Sequence, residues 1–131
     1  MIIHDGARPL ITAAMVERAM DAAKERGAAV LAVPVKETVK VRDENGLVKQ
    51  TLDRSSLWLA QTPQVYVYQV IRDALTRAQQ DGVYATDDSA LVERINQPVA
   101  LVPGSYENIK ITTPEDVAIA EALLRRRMEG T

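Results

Sequence analysis

The 131-residue sequence contains no cysteine, which excludes disulfide scaffolds, thiolate metal sites and cysteine nucleophiles. It has one histidine, His4, so no site built on several histidines can form within it. No sign of charge dominates: sixteen Lys and Arg against eighteen Asp and Glu leave −2, and bulk charge makes no case for nucleic acid. No apolar run approaches the about eighteen residues of a membrane span. The opening Met1-Ile2-Ile3-His4-Asp5 has neither the basic start nor the cleavage site of a signal peptide. There is no Gly-rich phosphate loop, no His-Glu-x-x-His and no Gly-x-Ser-x-Gly. A reduced, cytoplasmic setting without membrane or nucleic-acid partners is therefore expected. What the chain does have is the balance of an ordinary globular domain, 47% apolar and 26% charged. A single domain over residues 1–131 can bury roughly two-thirds of its unfolded surface.

Periodicity orders the elements. Ile2-Ile3 reads as a short buried strand closed by the turn-prone His4-Asp5-Gly6-Ala7-Arg8-Pro9. Thr12 is a natural N-cap for a helix to about Arg26, with Val16, Ala19, Met20 and Ala23 on one face and Gly27 as its stop. Ala28 to Val33 is a continuous apolar run ended by Pro34. Strand, helix, strand predicts a βαβ unit and a parallel sheet. The stretch 35–59 has another character. Val35 to Arg42 and Leu47 to Leu52 flank Asp43-Glu44-Asn45-Gly46, a strong hairpin turn. Both faces are polar, and an isolated hairpin is marginal in water, so this arm is expected to need a partner. Beyond it, Trp58–Gln61 and Val65–Tyr68 flank a Thr62-Pro63-Gln64 break. A helix from Tyr68 to Gln80 is expected to bury Ile71, Ala74, Leu75 and Ala78. A helix over 87–95, strands over 98–102 and 108–112, and a last helix follow. That last helix has the clearest start, with Thr113 as cap, Pro114 at N1 and Asp116 at N3. Arg125-Arg126-Arg127 suit its C-terminal dipole.

Polar residues gather at strand ends and turns: His4-Asp5 and Arg8, Thr38, Asp53-Arg54, Thr62, Thr86-Asp87-Asp88, and Lys110 with Thr112. In open α/β sheets, ligands bind outside the carboxyl ends of strands. Asp5 falls at such an end, and so does Lys110 if 108–109 form a strand. Taken singly, each has a plain structural role as turn, cap or surface ion pair. Lys110 fits such a role least well, because it interrupts an apolar run between Ile109 and Ile111.

Five segments occur together and in order. They are His4-Asp5-Gly6-Ala7-Arg8-Pro9-Leu10, Leu52-Asp53-Arg54, Gln61-Thr62-Pro63-Gln64, Thr86-Asp87-Asp88, and Asn108-Ile109-Lys110-Ile111-Thr112-Thr113-Pro114-Glu115-Asp116. With them the chain resembles the 2-C-methyl-D-erythritol 4-phosphate cytidylyltransferases over essentially its whole length. The resemblance implies a partial Rossmann-like α/β sheet with flanking helices and a protruding β-hairpin arm, the C-terminal portion of a nucleotidyltransferase fold. It implies transfer of CMP from CTP to methylerythritol phosphate with Mg²⁺ and release of pyrophosphate. By the same resemblance Lys110, Asp5 and Arg54 are catalytic. Arg8, Thr38, Arg54, Thr62, Thr86 and Lys110 bind substrate, and Asp5 is the candidate metal ligand. Arg54 and Thr38 would be carried by the 35–59 arm into a second subunit of a homodimer.

The family's Gly-rich loop with its arginine and lysine, which cradles the CTP triphosphate, has no counterpart here. The expectation is therefore a substrate-and-arm portion of such an enzyme, cut through an α/β domain and inactive alone. Two alternatives stand beside it. One is a ribitol 5-phosphate cytidylyltransferase, the other a non-catalytic dimerisation module using the exposed sheet edge.

Overall fold

A computed structural model describes residues 1–130. In chain order the elements are β1 (Ile2–Ile3), α1 (Ala13–Arg26), β2 (Ala28–Pro34), β3 (Lys40–Arg42), β4 (Val48–Thr51), a 3₁₀ turn (Arg54–Ser56), β5 (Trp58–Tyr66), α2 (Tyr68–Asp81), α3 (Asp88–Arg94), β6 (Ala100–Pro103) and α4 (Pro114–Glu129). The α/β class and the helix-flanked sheet are as expected.

The sheet is built around the most apolar stretch of the chain. Residues 28–33 of β2 are all buried, as a strand covered on both faces requires. The strand order is β1-β5-β2-β6. On one face Met15, Ala19 and Ala23 of α1 pack on Ala29, Leu31, Val65 and Val102. On the other, Ile71, Ala74, Ala78, Leu91 and Val92 of α2 and α3 pack on Ala28 and Tyr66.

The expected parallel sheet is a mixed one, although β1 and β2, the strands of the βαβ unit, do run the same way. β2 and β6 are parallel, but β5 runs antiparallel to both β1 and β2 and lies between them. The cause is the connection. β2 leaves the sheet into the arm and the chain returns directly beside it, with Pro34 opposite Trp58, so β2 and β5 form a hairpin with a long insert. Nor does Thr62-Pro63-Gln64 break the strand. β5 is continuous, and Gln61, Thr62 and Pro63 stand opposite Leu31 alone, between the pairs Val30–Gln64 and Ala32–Ala60. Proline has no N–H for the ladder, so a bulge is where it fits. The Thr62–Pro63 peptide is cis.

The helix signals hold closely. Thr12 accepts from the Met15 amide and Gly27 ends α1 with φ +93°. The α1 face is rotated slightly, with Met15 buried and Val16 and Met20 half-buried. On α2, Leu75 is exposed rather than buried. Within Thr86-Asp87-Asp88 it is Asp87 that caps α3, through the Ala90 amide. The Thr113–Asp116 capping box of α4 is complete. Of the three arginines near its end, Arg126 and Arg127 bind Glu107, and Arg127 also donates to the Leu10 carbonyl at 2.9 Å. They anchor the preceding loop as well as answering the helix dipole.

The expected strand over 108–112 is absent, and that stretch is a loop. Its backbone is held by other partners than a ladder: Ile111 donates to the Ala7 carbonyl, and the Asn108 carbonyl accepts from Arg8.

The arm protrudes as expected, but its paired strands are shorter. No residue of β3 or β4 is fully buried. The turn is built on Asp43, whose carboxylate accepts from the Asn45 and Leu47 amides, with Gly46 at φ +84°.

Candidate active site

A cleft of about 220 Å³ opens where the turn after β1, the bulge of β5, the start of α3 and the loop before α4 meet. Its lining includes Asp5, Arg8, Thr62, Thr86 and Lys110. With Asp87 and Asp88, which also line it, seven residues singled out in the sequence, from four separate segments, thus share one cleft. Its volume lies below the about 300–1,000 Å³ of drug-sized sites, which suits a small polar ligand.

The charges converge on one atom. Asp5 Oδ2 lies 3.4 Å from Arg8 Nε and 3.4 Å from Lys110 Nζ. Arg8 is largely enclosed, its side chain 12% exposed, whereas that of Lys110 is 50% exposed. Arg8 also donates from Nη1 to the Asn108 carbonyl at 2.7 Å. Arg8 is therefore a fixed cation committed to protein partners, and Lys110 is a more accessible one.

The cleft floor is a polar network inside the sheet. The Asp5 amide donates to Thr62 Oγ1 at 3.0 Å, and that hydroxyl lies 2.8 Å from His4 Nδ1. His4 Nε2 is 3.0 Å from the Arg8 carbonyl. A carbonyl only accepts, so Nε2 carries a proton and donates to it, while Nδ1 shares a hydrogen bond with the Thr62 hydroxyl. His4 is thus a latch on the turn rather than a free base. Asn108 is fully buried and donates to Gln61 Oε1 and the Thr62 carbonyl at 3.2 and 2.9 Å. Gln64 Oε1 accepts from the Tyr66 hydroxyl and the Ser89 amide. Burial pushes the Tyr66 phenol far above its ordinary range, with Asp88, Asp87 and Glu93 adding to the shift.

The loop carrying Lys110 is pinned from below. Asp116 Oδ2 accepts from the Thr112 and Thr113 amides, both at 3.0 Å. Those bonds, the Thr112 amide first, hold the Asp116 carboxyl below its usual value.

Thr38 and Arg54 do not join this cleft. Both are exposed on the arm, and Arg54 Nη1 donates to the Lys36 carbonyl within the arm itself. Thr86 sits exposed at the cleft rim. Sequence reasoning gives no role to Asn108, Gln61 or Gln64, although all three are buried. The available signal is the run Gln61-Thr62-Pro63-Gln64 inside a strand, since buried polar groups need partners. Among the described residues no group of three His, Asp or Glu could hold a metal ion.

The family model described as 2-C-methyl-D-erythritol 4-phosphate cytidylyltransferase matches residues 1–126. The protein of that name from Desulforamulus reducens is 56% identical over 127 residues, covering 97% of this chain and 54% of its own length. The one from Pelotomaculum thermopropionicum is 51% identical, covering 97% and 53%. The crystal structure of the protein of the same name from Thermus thermophilus superposes with a TM-score of 0.86 at 38% identity, covering 95% of this chain and 61% of that one. The chain spans about half the length of the curated relatives it matches. A match over nearly all its residues, joined to a fold shared with a solved member, shows that the chain belongs to the 2-C-methyl-D-erythritol 4-phosphate cytidylyltransferase family.

Proposed function

We propose that this chain supplies the substrate side and the arm of a cytoplasmic cytidylyltransferase that transfers CMP from CTP to 2-C-methyl-D-erythritol 4-phosphate. The observation that carries the reading is the convergence of Asp5, Arg8, Thr62, Thr86 and Lys110 in one cleft. In the reaction a phosphate oxygen of methylerythritol phosphate forms a bond to the α-phosphorus of CTP. The bond from that phosphorus to the bridging oxygen breaks, and pyrophosphate leaves. Two polyanions must approach, so positioning and charge neutralisation dominate. Lys110, the more accessible cation, faces the reacting phosphates. Arg8 holds Asp5, and Asp5 keeps the Lys110 ammonium in place until phosphate competes for it. Thr86 offers its hydroxyl to the polyol, and Thr62, already bonded to Asp5 and His4, supplies an oxygen that can still accept.

The donor set fits a Mg²⁺ that arrives with the nucleotide. Such an ion keeps water and phosphate oxygens as most of its ligands, and Asp5 is the one cleft carboxylate the reading assigns to it. When bound, the ion neutralises phosphate charge. Thr38 and Arg54 lie away from their own chain's cleft, which supports an arm that reaches a second copy in a homodimer.

The test joins the chain to the remaining portion of a family member and measures pyrophosphate release from CTP with methylerythritol phosphate or ribitol 5-phosphate at equal concentration. Release with methylerythritol phosphate and much less with ribitol phosphate is expected, and none from the 131-residue chain alone. Lys110→Ala is expected to lower the rate by about 10²–10³-fold, as when one charge-stabilising donor is removed. Robust turnover by the chain alone, or a preference for ribitol phosphate, overturns the reading.

A further inference from the structure

The loop that presents Lys110 also grips the base of the arm. It starts at Gly104, whose amide donates to the Ala32 carbonyl at 2.8 Å and where a Cβ would collide with Gln61 Oε1. Two residues on, the Tyr106 hydroxyl donates to the Pro34 carbonyl at 2.7 Å. The Lys36 ammonium sits 3.7 Å from the Tyr106 ring centroid. Tyr106 therefore holds the departing arm by its main chain and by a side chain together. The Lys36 carbonyl in turn accepts from Arg54. On the other side, Asn108 follows Tyr106 by two residues and takes Arg8, which pairs with Asp5, which pairs with Lys110. The contacts run without a gap from Arg54 on the arm to Lys110 in the cleft, and Tyr106 is the only side chain in that series that touches the arm from the loop.

We infer that Tyr106 is a positioning residue that fixes the posture of the arm relative to the cleft loop. The inference deepens the reading of the arm given above, because an arm that delivers Arg54 to a neighbouring cleft must leave its own sheet at a defined angle. The geometry suits the task. Pro34 ends β2 and Trp58 begins β5 opposite it, so the arm leaves on a two-strand neck, joined past that pair by the Val35 amide to the Leu57 carbonyl and then by the Leu52 amide to the Val39 carbonyl, each at 3.0 Å. A hydroxyl and a ring face on the outside of that neck resist its swing. The cation–ring contact also commits Lys36, which would otherwise add mobile charge next to Arg54.

The test needs no turnover. Amide hydrogen exchange by NMR is compared at Val35 and Leu52, whose amides are bonded in the neck and arm, and at Val30 and Leu31 in the buried core. Tyr106→Leu removes both grips and is expected to speed exchange at Val35 and Leu52 about tenfold with the core unchanged. Tyr106→Phe and Lys36→Met each remove one grip and should give about threefold. Lys36→Arg keeps a cation on the ring and should restore protection. Emission from Trp58, the sole tryptophan, should become more accessible to acrylamide in step. Unchanged neck exchange in Tyr106→Leu overturns the inference, as does a rise of equal size in neck and core. Lys36→Met, which leaves Tyr106 intact, keeps the question open to refutation if Tyr106→Leu does not fold. Because no step reads catalysis, failure of the clamp and failure of the proposed transfer are told apart.

Discussion

The cleft and the arm are made of similar residue types and are held together in opposite ways. Both are rich in polar side chains. Around the cleft those side chains reach across the sequence: Asn108 to Gln61 and Thr62, Arg8 to the Asn108 carbonyl, Glu107 to Arg126 and Arg127, Asp5 to Lys110. Above its base, where Lys36 meets the Tyr106 ring, the arm's side chains reach only within the arm. Asp43 serves its own turn, Lys40 donates to Thr51, and Asp53 caps the Ser55 amide. The cleft is a local consequence of a core that the chain buries by itself. The arm leaves Leu47 and Val48 66% and 61% exposed, so its apolar atoms have no place to go within this chain. A polar surface can thus mean a finished site or an unfinished interface, and the span of its hydrogen bonds separates the two.

The largest effect tests the cleft side. Asn108→Ala removes a donor from two buried acceptors, Gln61 Oε1 and the Thr62 carbonyl. Each orphaned group costs about 1–3 kcal/mol, so a loss of about 3 kcal/mol and a melting point lower by about 10 °C are expected by calorimetry. A shift of a degree or two would mean that the network is decoration and that cleft and arm are alike. On the arm side, the double change Leu47→Ser and Val48→Ser should move the melting point of the isolated chain by less than about 2 °C, as surface substitutions do. Its effect belongs to association. Sedimentation at micromolar concentration should show a dimer for the unaltered chain and a weakened one for the double variant. An unaltered chain that sediments as a monomer would break the arm half of the comparison.

How much of this is legible in the sequence follows the same division. Thr12, Gly27, Asp87 and the Thr113–Asp116 box mark helix ends through contacts three or four residues away, and these ends read correctly. The arm is legible because it is local too. Its tip is legible too, since the turn read at 43–46 is there, with Asp43 closing it on the Leu47 amide and Gly46 at positive φ. What cannot be read is anything decided by residues far apart. The antiparallel β5 follows from where the chain lies after a detour of more than twenty residues. The loop at 108–112 has alternating apolar residues and reads as a strand, but Asn108 turns inward to Gln61 and Thr62 and no neighbouring strand takes its amides. The cleft residues are picked out through a family resemblance that gathers five scattered segments. Taken singly, each has a plain structural role, which Lys110 fits least well.

The smallest effect contrasts two carboxylates of the same kind. Asp116 and Asp53 both hold their protons less tightly than an ordinary aspartate. Asp116 does so because it accepts from the Thr112 and Thr113 backbone, Asp53 because it accepts from Ser55. For each, the folded pKa lies below the unfolded value of about 3.9. The stabilisation is therefore complete above about pH 4 and is lost as pH falls through the lowered folded value. Asp116 ties the Lys110 loop to the start of α4, which belongs to the cooperative core. Asp53 caps one turn of an arm that no core residue packs on. Asp116→Asn should thus flatten the fall in melting temperature between pH 5 and pH 3 by a small, measurable amount, whereas Asp53→Asn should leave that fall unchanged. Because both groups are solvent-exposed, salt should reduce the Asp116 effect further. If the two substitutions changed the acid limb equally, the arm would have to melt with the core, and its independence from the cleft would be lost.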